Sequence, residues 1–259
     1  MTRHRIQEAV IAVVAVAVGA AGPLAASSAV DHAPWDQLLH RYVRQGLVDY
    51  RGLQSERAGL DRYLTSLADL DPAQLPSPQA QLAFWINAYN ACVMKGVLDA
   101  SPIKSVKDVK GFFDRLHYRV GGESLTLNAI EAKGRAVGDW RIHFTVVCAS
   151  SSCPPIRAEA YIPERLQEQL TDQTTRFLSD SRNGWRVDDA TLRVSKLFDW
   201  YAADFVPPAR RRLFSRLTPE LLADILQPYL APEAVRAITA RKHVLQFLDY
   251  DWTLNAQAR

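Results

Sequence analysis

Between Arg141 and Pro155 the chain brings together more reactive groups than anywhere else: Arg141-Ile-His-Phe-Thr-Val-Val-Cys148-Ala-Ser-Ser-Ser-Cys153-Pro-Pro155. An imidazole, two thiols and three serines can do several kinds of chemistry. A thiol beside a histidine can act as a nucleophile if the imidazole takes its proton and a third group orients the ring. If His143 sits on an extended strand, Cys148 lies about 16 Å away at roughly 3.3 Å per residue. Residues 149–152 can fold Cys153 back towards His143, so a catalytic reading selects Cys153 as nucleophile, His143 as base and Glu131 or an asparagine as orienter. Amides of Ser150, Ser151 and Ser152 could then cradle an oxyanion. The competing reading pairs Cys148 with Cys153 in a disulfide that braces the serine loop and presents its amides to a peptide or small anion. A redox-active pair is the third reading. Zinc held by His143, Cys148 and Cys153 is disfavoured, because the spacing lacks Cys-x-x-Cys and a fourth ligand is missing.

Other polar residues occupy costly places. Asn87 and Asn90 share one side of an apolar helix, and buried amides must be hydrogen-bonded. Anchoring a neighbouring loop is the first reading for them, and ligand contact, together with Arg141, the second. Glu131 follows Asn128 at capping-box spacing and is also a candidate general base. Asp204 reads as a structural partner for an arginine or a backbone amide, and Asp249 and Asp251 as residues that fix a turn around Tyr250.

The elements that position these groups are mostly helical. Residues 34–45 read as an amphipathic helix stopped by Gly46, residues 47–50 as extended, and residues 53–70 as a second helix ending before Pro72, Pro76 and Pro78. Residues 79–100 are apolar almost all round, which marks a buried central helix. Hairpins are expected at 117–127, turning at Gly121-Gly122, and at 185–194 around Asp188 to Ala190. Residues 142–147 form a run of apolar residues around His143 and read as a buried strand. Helices follow over 163–178 and 196–205, then three more stretches reach Ala240. The last segment, residues 244–252, reads as extended and returns to the core. The expected fold class is α+β: a mostly helical single domain, residues 30–259, packed around a small, largely antiparallel sheet that includes the His143 strand.

Composition narrows the setting. The chain has 259 residues with 31 basic and 28 acidic side chains. Mixed, near-neutral charge argues against nucleic acid as a partner, and the Arg210-Arg211-Arg212 run is short. Arg3, His4 and Arg5, the apolar run Ala9 to Ala26, and Ser27-Ser28-Ala29 have the form of a secretory signal peptide over residues 1–29. The expectation is a periplasmic or secreted protein with no stable membrane insertion after cleavage, in a compartment that favours disulfides. Cys92, surrounded by apolar neighbours, reads as a small buried hydrophobe. No cofactor is implied, and the expected partner is a small molecule or peptide.

Six ordered motifs carry a family resemblance: Ala83-Phe-Trp-Ile-Asn-Ala-Tyr-Asn-Ala91, Leu125-Thr-Leu-Asn-Ala-Ile-Glu131, Arg141-Ile-His-Phe144, Cys148 to Pro155, Trp200-Tyr-Ala-Ala-Asp-Phe205 and Tyr250-Asp-Trp252. In this order they resemble the domain of unknown function 547, over roughly residues 47–255. The resemblance implies an exported globular domain and supplies no reaction. A mild departure is His143-Phe-Thr-Val146, where the family strand more often reads His-Phe-Ala-Leu.

Overall fold

The computed structural model describes residues 30–206, 217–240 and 242–258. The expected leader and the Arg210 to Arg212 run lie outside the described residues.

The organising element is α4, Pro78–Ala100. Ser77 caps it by accepting the Ala80 N–H, and Pro78 opens the first turn, where its missing donor costs nothing. Because its apolar residues run all round, it buries nearly every face. Helices α1 (Ala33–Tyr42), α2 (Tyr50–Ser55) and α3 (Arg57–Ala68) pack on one side. Between α1 and α2 the chain makes a short hairpin, β1 (Val43–Arg44) and β2 (Leu47–Val48), turning at Gln45 and Gly46 with positive φ. The hairpin β3 (His117–Val120) and β4 (Glu123–Thr126) turns at Gly121-Gly122 and leads into α5, Leu127–Ala136. Gly134 lets α5 approach closely: a Cβ there would lie 2.6 Å from Ile142 Cδ1 and 3.2 Å from Trp85 Cβ.

Two apolar cores result. The larger surrounds α4 with Trp35, Leu60, Phe84, Ile86, Leu127 and Ile142. The second gathers Phe144, Phe177, Phe198, Phe205 and Leu222. It is built by α6 (Leu166–Leu178), the hairpin β5 (Trp185–Asp188) and β6 (Thr191–Val194), and the short helices α7 (Leu197–Trp200) and α8 (Ala202–Phe205). Helices α9 (Pro219–Leu226) and α10 (Pro232–Thr239) complete that side. Strand β7, Val244–Phe247, pairs parallel to β6. The class is α+β, as expected, but among the described residues the strands form three separate small sheets of two, two and three strands.

The expected His143 strand is absent. Residues Trp140–Phe144 form a 3-10 turn, capped by Asp139, whose side chain accepts the Arg141 N–H. The reason lies in α4. Asn90 Nδ2 donates to the Thr145 carbonyl at 2.9 Å, and its Oδ1 accepts the Val147 N–H at 2.8 Å. One side-chain amide thus supplies the pairing that a neighbouring strand would otherwise provide, so the apolar run can stay buried without a sheet. A 3-10 turn rises only about 2 Å per residue, so the chain from His143 to Cys148 is shorter than an extended strand would make it.

Candidate active site

The two cores meet at a cavity of about 420 Å³ lined by Glu131, His143, Cys148, Cys153, Tyr201 and Tyr250, with Trp200 and Trp252 among its aromatic walls. Four separate parts of the chain supply these groups.

Helix α5 gives Glu131 and Arg135, one turn apart on one face. Glu131 is not the capping residue expected of it. The cap is Thr126, whose side chain accepts the Ala129 N–H, and Glu131 instead faces the cavity. Burial raises the pKa of its carboxyl, opposed in part by a hydrogen bond from Tyr201 and by the charge of Arg135. The helical run 197–205 breaks at Tyr201, so Tyr201 and Asp204 bracket the start of α8. Tyr201 lies against His143, ring centroids 4.0 Å apart and planes 24° from parallel.

His143 is 1% exposed. Its Nε2 lies 2.9 Å from Asp204 Oδ2, and Arg135 Nε donates to the same oxygen at 2.7 Å. Burial opposes the charge of Asp204, but the hydrogen bonds from Arg135 and His143 outweigh it and lower the carboxyl pKa. An ionised Asp204 accepts, so Nε2 carries the proton. Burial also lowers the imidazole pKa to about 4, against the opposing pull of Asp204. At neutral pH His143 is therefore an uncharged ring with a bare lone pair on Nδ1. That nitrogen is buried and has no hydrogen-bond partner in the protein. A buried polar atom left unpaired in this way costs free energy and is common at reactive sites.

The cysteines are separate thiols rather than a disulfide, with Sγ atoms 3.1 Å apart. The two sulfurs are not equivalent. Both line the cavity, but Cys148 is half-buried whereas Cys153 is only 7% exposed. Cys148 Sγ lies 3.1 Å from the Cys153 thiol, 3.0 Å from Ser150 Oγ and 3.2 Å from Tyr250 Oη. Between Cys148 and Ser150, Ala149 has a φ of 61°, a region that residues with a side chain seldom occupy. Burial acts to raise the Cys148 pKa, and these donors overcome it, lowering it to about 7. Burial and the neighbouring sulfur push the Cys153 pKa up, although its sulfur accepts the Cys148 N–H at 3.0 Å. The proton shared by the pair therefore stays on Cys153. Sequence reasoning favoured Cys153 as nucleophile; the geometry favours Cys148.

The remaining predicted residues are engaged elsewhere. Asn87 clamps the backbone of Tyr161, donating to its carbonyl at 2.7 Å and accepting its N–H at 3.0 Å. Asn90 holds the 145–147 segment as described. Arg141 turns away from the cavity to Asp139, Gln167 and Thr171. The Ser151 and Ser152 amides donate to the Thr253 and Asp251 carbonyls, so they are not free to cradle an anion. Their hydroxyls reach the Thr253 carbonyl and Asn183. Ser150 alone of the three turns its hydroxyl to Cys148 and Tyr250. Among the described residues no group of three or more His, Cys, Asp or Glu is arranged to hold a metal ion, and no helix is long and apolar enough to cross a membrane.

Sequence reasoning passed over Asp204, Tyr201 and Tyr250 as chemical groups. Their signal was present in Trp200-Tyr-Ala-Ala-Asp204 and Tyr250-Asp-Trp252, where aromatic residues flank an acid, but nothing local tied them to His143 or Cys148.

Residues 72–178 match the family model described as "Protein of unknown function, DUF547". Over this span the chain is similar to the DUF547 family. The matched span carries α4, Glu131, His143 and both loop cysteines, while Tyr201, Asp204 and Tyr250 lie C-terminal to it. No curated protein and no solved structure matches the chain.

Proposed function

We propose that this domain is a thiol-dependent hydrolase or acyl-transferase in which Cys148 is the nucleophile, His143 the general base and Asp204 the group that orients it. The observation that carries this reading is one cavity wall holding both a sulfur in contact with Cys153, Ser150 and Tyr250, its pKa lowered to about 7, and a neutral histidine whose proton is fixed on Nε2, leaving Nδ1 open. A neutral imidazole with its tautomer set by a carboxylate is what a general base requires.

The steps follow from the groups present. The Cys148 thiolate attacks the carbonyl carbon of an ester, thioester or amide. A carbon–sulfur bond forms, and the leaving group departs with a proton, for which the Glu131 carboxyl, kept towards its protonated form by burial, faces the same cavity. Water or an acceptor hydroxyl or amine, deprotonated by His143, then attacks the acyl-cysteine and releases the thiolate. The proton on His143 returns through solvent to Glu131. The binding-loop reading loses support because the Ser151 and Ser152 amides are already used by the C-terminal segment. Export to the periplasm or medium remains part of the proposal and rests on the N-terminal sequence.

The test is covalent. Incubation with p-nitrophenyl acetate, followed by peptide mapping, should show one acetyl group on Cys148, with a burst of p-nitrophenol. His143→Ala should retain the adduct and slow its loss. An acetyl group found on another residue, or no adduct on a protein whose Cys148 still alkylates, would overturn the reading.

A further inference from the structure

Acyl transfer gives Cys153 no role beyond a hydrogen bond, yet the fold holds its sulfur 3.1 Å from the nucleophile. We propose that Cys153 is a resolving thiol: when a peroxide oxidises Cys148, Cys153 converts it to a Cys148–Cys153 disulfide that closes the site reversibly. That closure silences activity rests on the function proposed above; the disulfide chemistry itself does not.

Position makes the two sulfurs unequal partners. Both sulfurs line the cavity, where a small oxidant can enter, but Cys148 is half-buried and Cys153 is only 7% exposed. The thiolate is the species that reacts with peroxide, and the hydroxyls of Ser150 and Tyr250, 3.0 and 3.2 Å from the Cys148 sulfur, can donate to it there. The loop is already folded for closure. Ala149 has φ 61°, and the Cys153 N–H donates to the Ser150 carbonyl at 3.1 Å, so the chain between the cysteines is a tight turn. Bond formation needs the sulfurs to approach from 3.1 Å to about 2.05 Å. Cys92, fully buried in the larger core, does not compete.

The chemistry balances in two steps. Cys148 thiolate attacks one oxygen of hydrogen peroxide; a sulfur–oxygen bond forms, the oxygen–oxygen bond breaks, and hydroxide leaves and takes up a proton. Cys153 sulfur then attacks the Cys148 sulfenic acid; a sulfur–sulfur bond forms, the sulfur–oxygen bond breaks, and the departing hydroxide takes the Cys153 proton. Two thiols lose two electrons and the peroxide becomes two waters. A dithiol reductant reverses the result by exchange. Without a resolving thiol the sulfenic acid continues to the sulfinic and sulfonic states, which thiols do not reduce.

The experiment treats the full chain with a modest excess of hydrogen peroxide, then alkylates and maps all three cysteines with and without dithiothreitol. The expected product is a Cys148–Cys153 disulfide that dithiothreitol returns to two alkylatable thiols, with Cys92 unmodified. Cys153→Ser keeps a hydroxyl donor beside Cys148 but removes the resolving sulfur, and it should gain oxygen atoms at Cys148 that dithiothreitol does not remove. A wild-type protein whose Cys148 goes directly to sulfinic acid, or whose two thiols survive peroxide unlinked, would overturn the proposal. Disulfide formation without acetylation of Cys148 by p-nitrophenyl acetate would defeat the acyl-transfer reading alone, and acetylation without a disulfide would defeat this one alone.

Discussion

Asp204 Oδ2 serves two donors at once, His143 Nε2 at 2.9 Å and Arg135 Nε at 2.7 Å. The arginine keeps the carboxylate charged, and the carboxylate fixes which imidazole nitrogen carries the proton. A helix α5 residue thereby governs the state of a ring on the 3-10 turn without touching it.

Replacing Asp204 by Asn removes the charge and lets the imidazole adopt either tautomer. Release of an acetyl group from Cys148 should slow roughly a hundredfold or more, the usual contribution of a positioned general base. Alkylation of Cys148 by iodoacetamide should change little, because its donors lie elsewhere. Equal slowing of both reactions would point to a disturbed fold instead.

The rate of Cys148 alkylation should rise with pH through a midpoint near the lowered value of about 7 and level off above it. Tyr250→Phe removes one donor, worth about 1 kcal/mol, and should raise that midpoint by about one unit at most. Cys153 and Cys92, both with raised pKa, should stay slow across the same range. Faster labelling of Cys153 than of Cys148 would reverse the assignment.

Acid should destabilise the protein before its carboxylates titrate fully. Burial lowers both His143 and His32 to about 4 from the ordinary 6.5. Each then binds its proton more readily when unfolded, so stability is complete above about pH 6.5 and is lost as pH falls towards 4. The loss approaches about 3 kcal/mol for each ring at the lower limit. Urea unfolding at a series of pH values measures this, and His32→Gln should remove about half of the slope. A flat profile between pH 7 and 4.5 would contradict the buried, neutral histidines.

Asn87→Leu and Asn90→Leu should each lower stability by about 1–3 kcal/mol, because each strands a buried carbonyl and N–H. Only the Asn90 change should also reduce acetylation of Cys148, since Asn90 holds the segment between His143 and Cys148. Melting curves paired with the acetylation assay separate the two effects, and equal loss of acetylation in both variants would argue against a special role for that clamp.

Much of the helical frame was legible because periodicity and punctuation are local. Ser77-Pro78 and the apolar run after it announce α4, and Gly121-Gly122 announces the β3–β4 turn. The His143 segment misled for a specific reason. Its apolar pattern is that of a buried strand, but its partner is a side chain on α4, and no local pattern reveals that one asparagine will do the work of a neighbouring strand. Glu131 misled differently: its spacing from Asn128 fits a capping box, while Thr126, two residues before Asn128, makes the cap.

The site was legible in its central residues and not in its allocation of roles. His143, Glu131 and the cysteine loop stand out by type and spacing. That Cys148 rather than Cys153 holds the low-pKa sulfur depends on Tyr250, more than a hundred residues away, and on the backward turn at Ala149. Asp204 reads from sequence as a structural acid because the relation that matters, to His143 across 61 residues, is created only by packing of α8.

The path of residues 248–257 sets the timing of the whole arrangement. Leu248 joins Val194, Asp251 and Thr253 receive the serine loop, Asn255 joins Ala149 and Tyr50, and Gln257 reaches Val48. This ribbon stitches the first helices to the loop and brings Tyr250 to the sulfur. During synthesis it is made after every other part of the site, so α4, the 3-10 turn and both thiols can be in place while the sulfur still lacks one of its donors. A nascent chain, or one clipped before Tyr250, would carry the Cys148 sulfur without that contact, and docking of the tail would complete its surroundings.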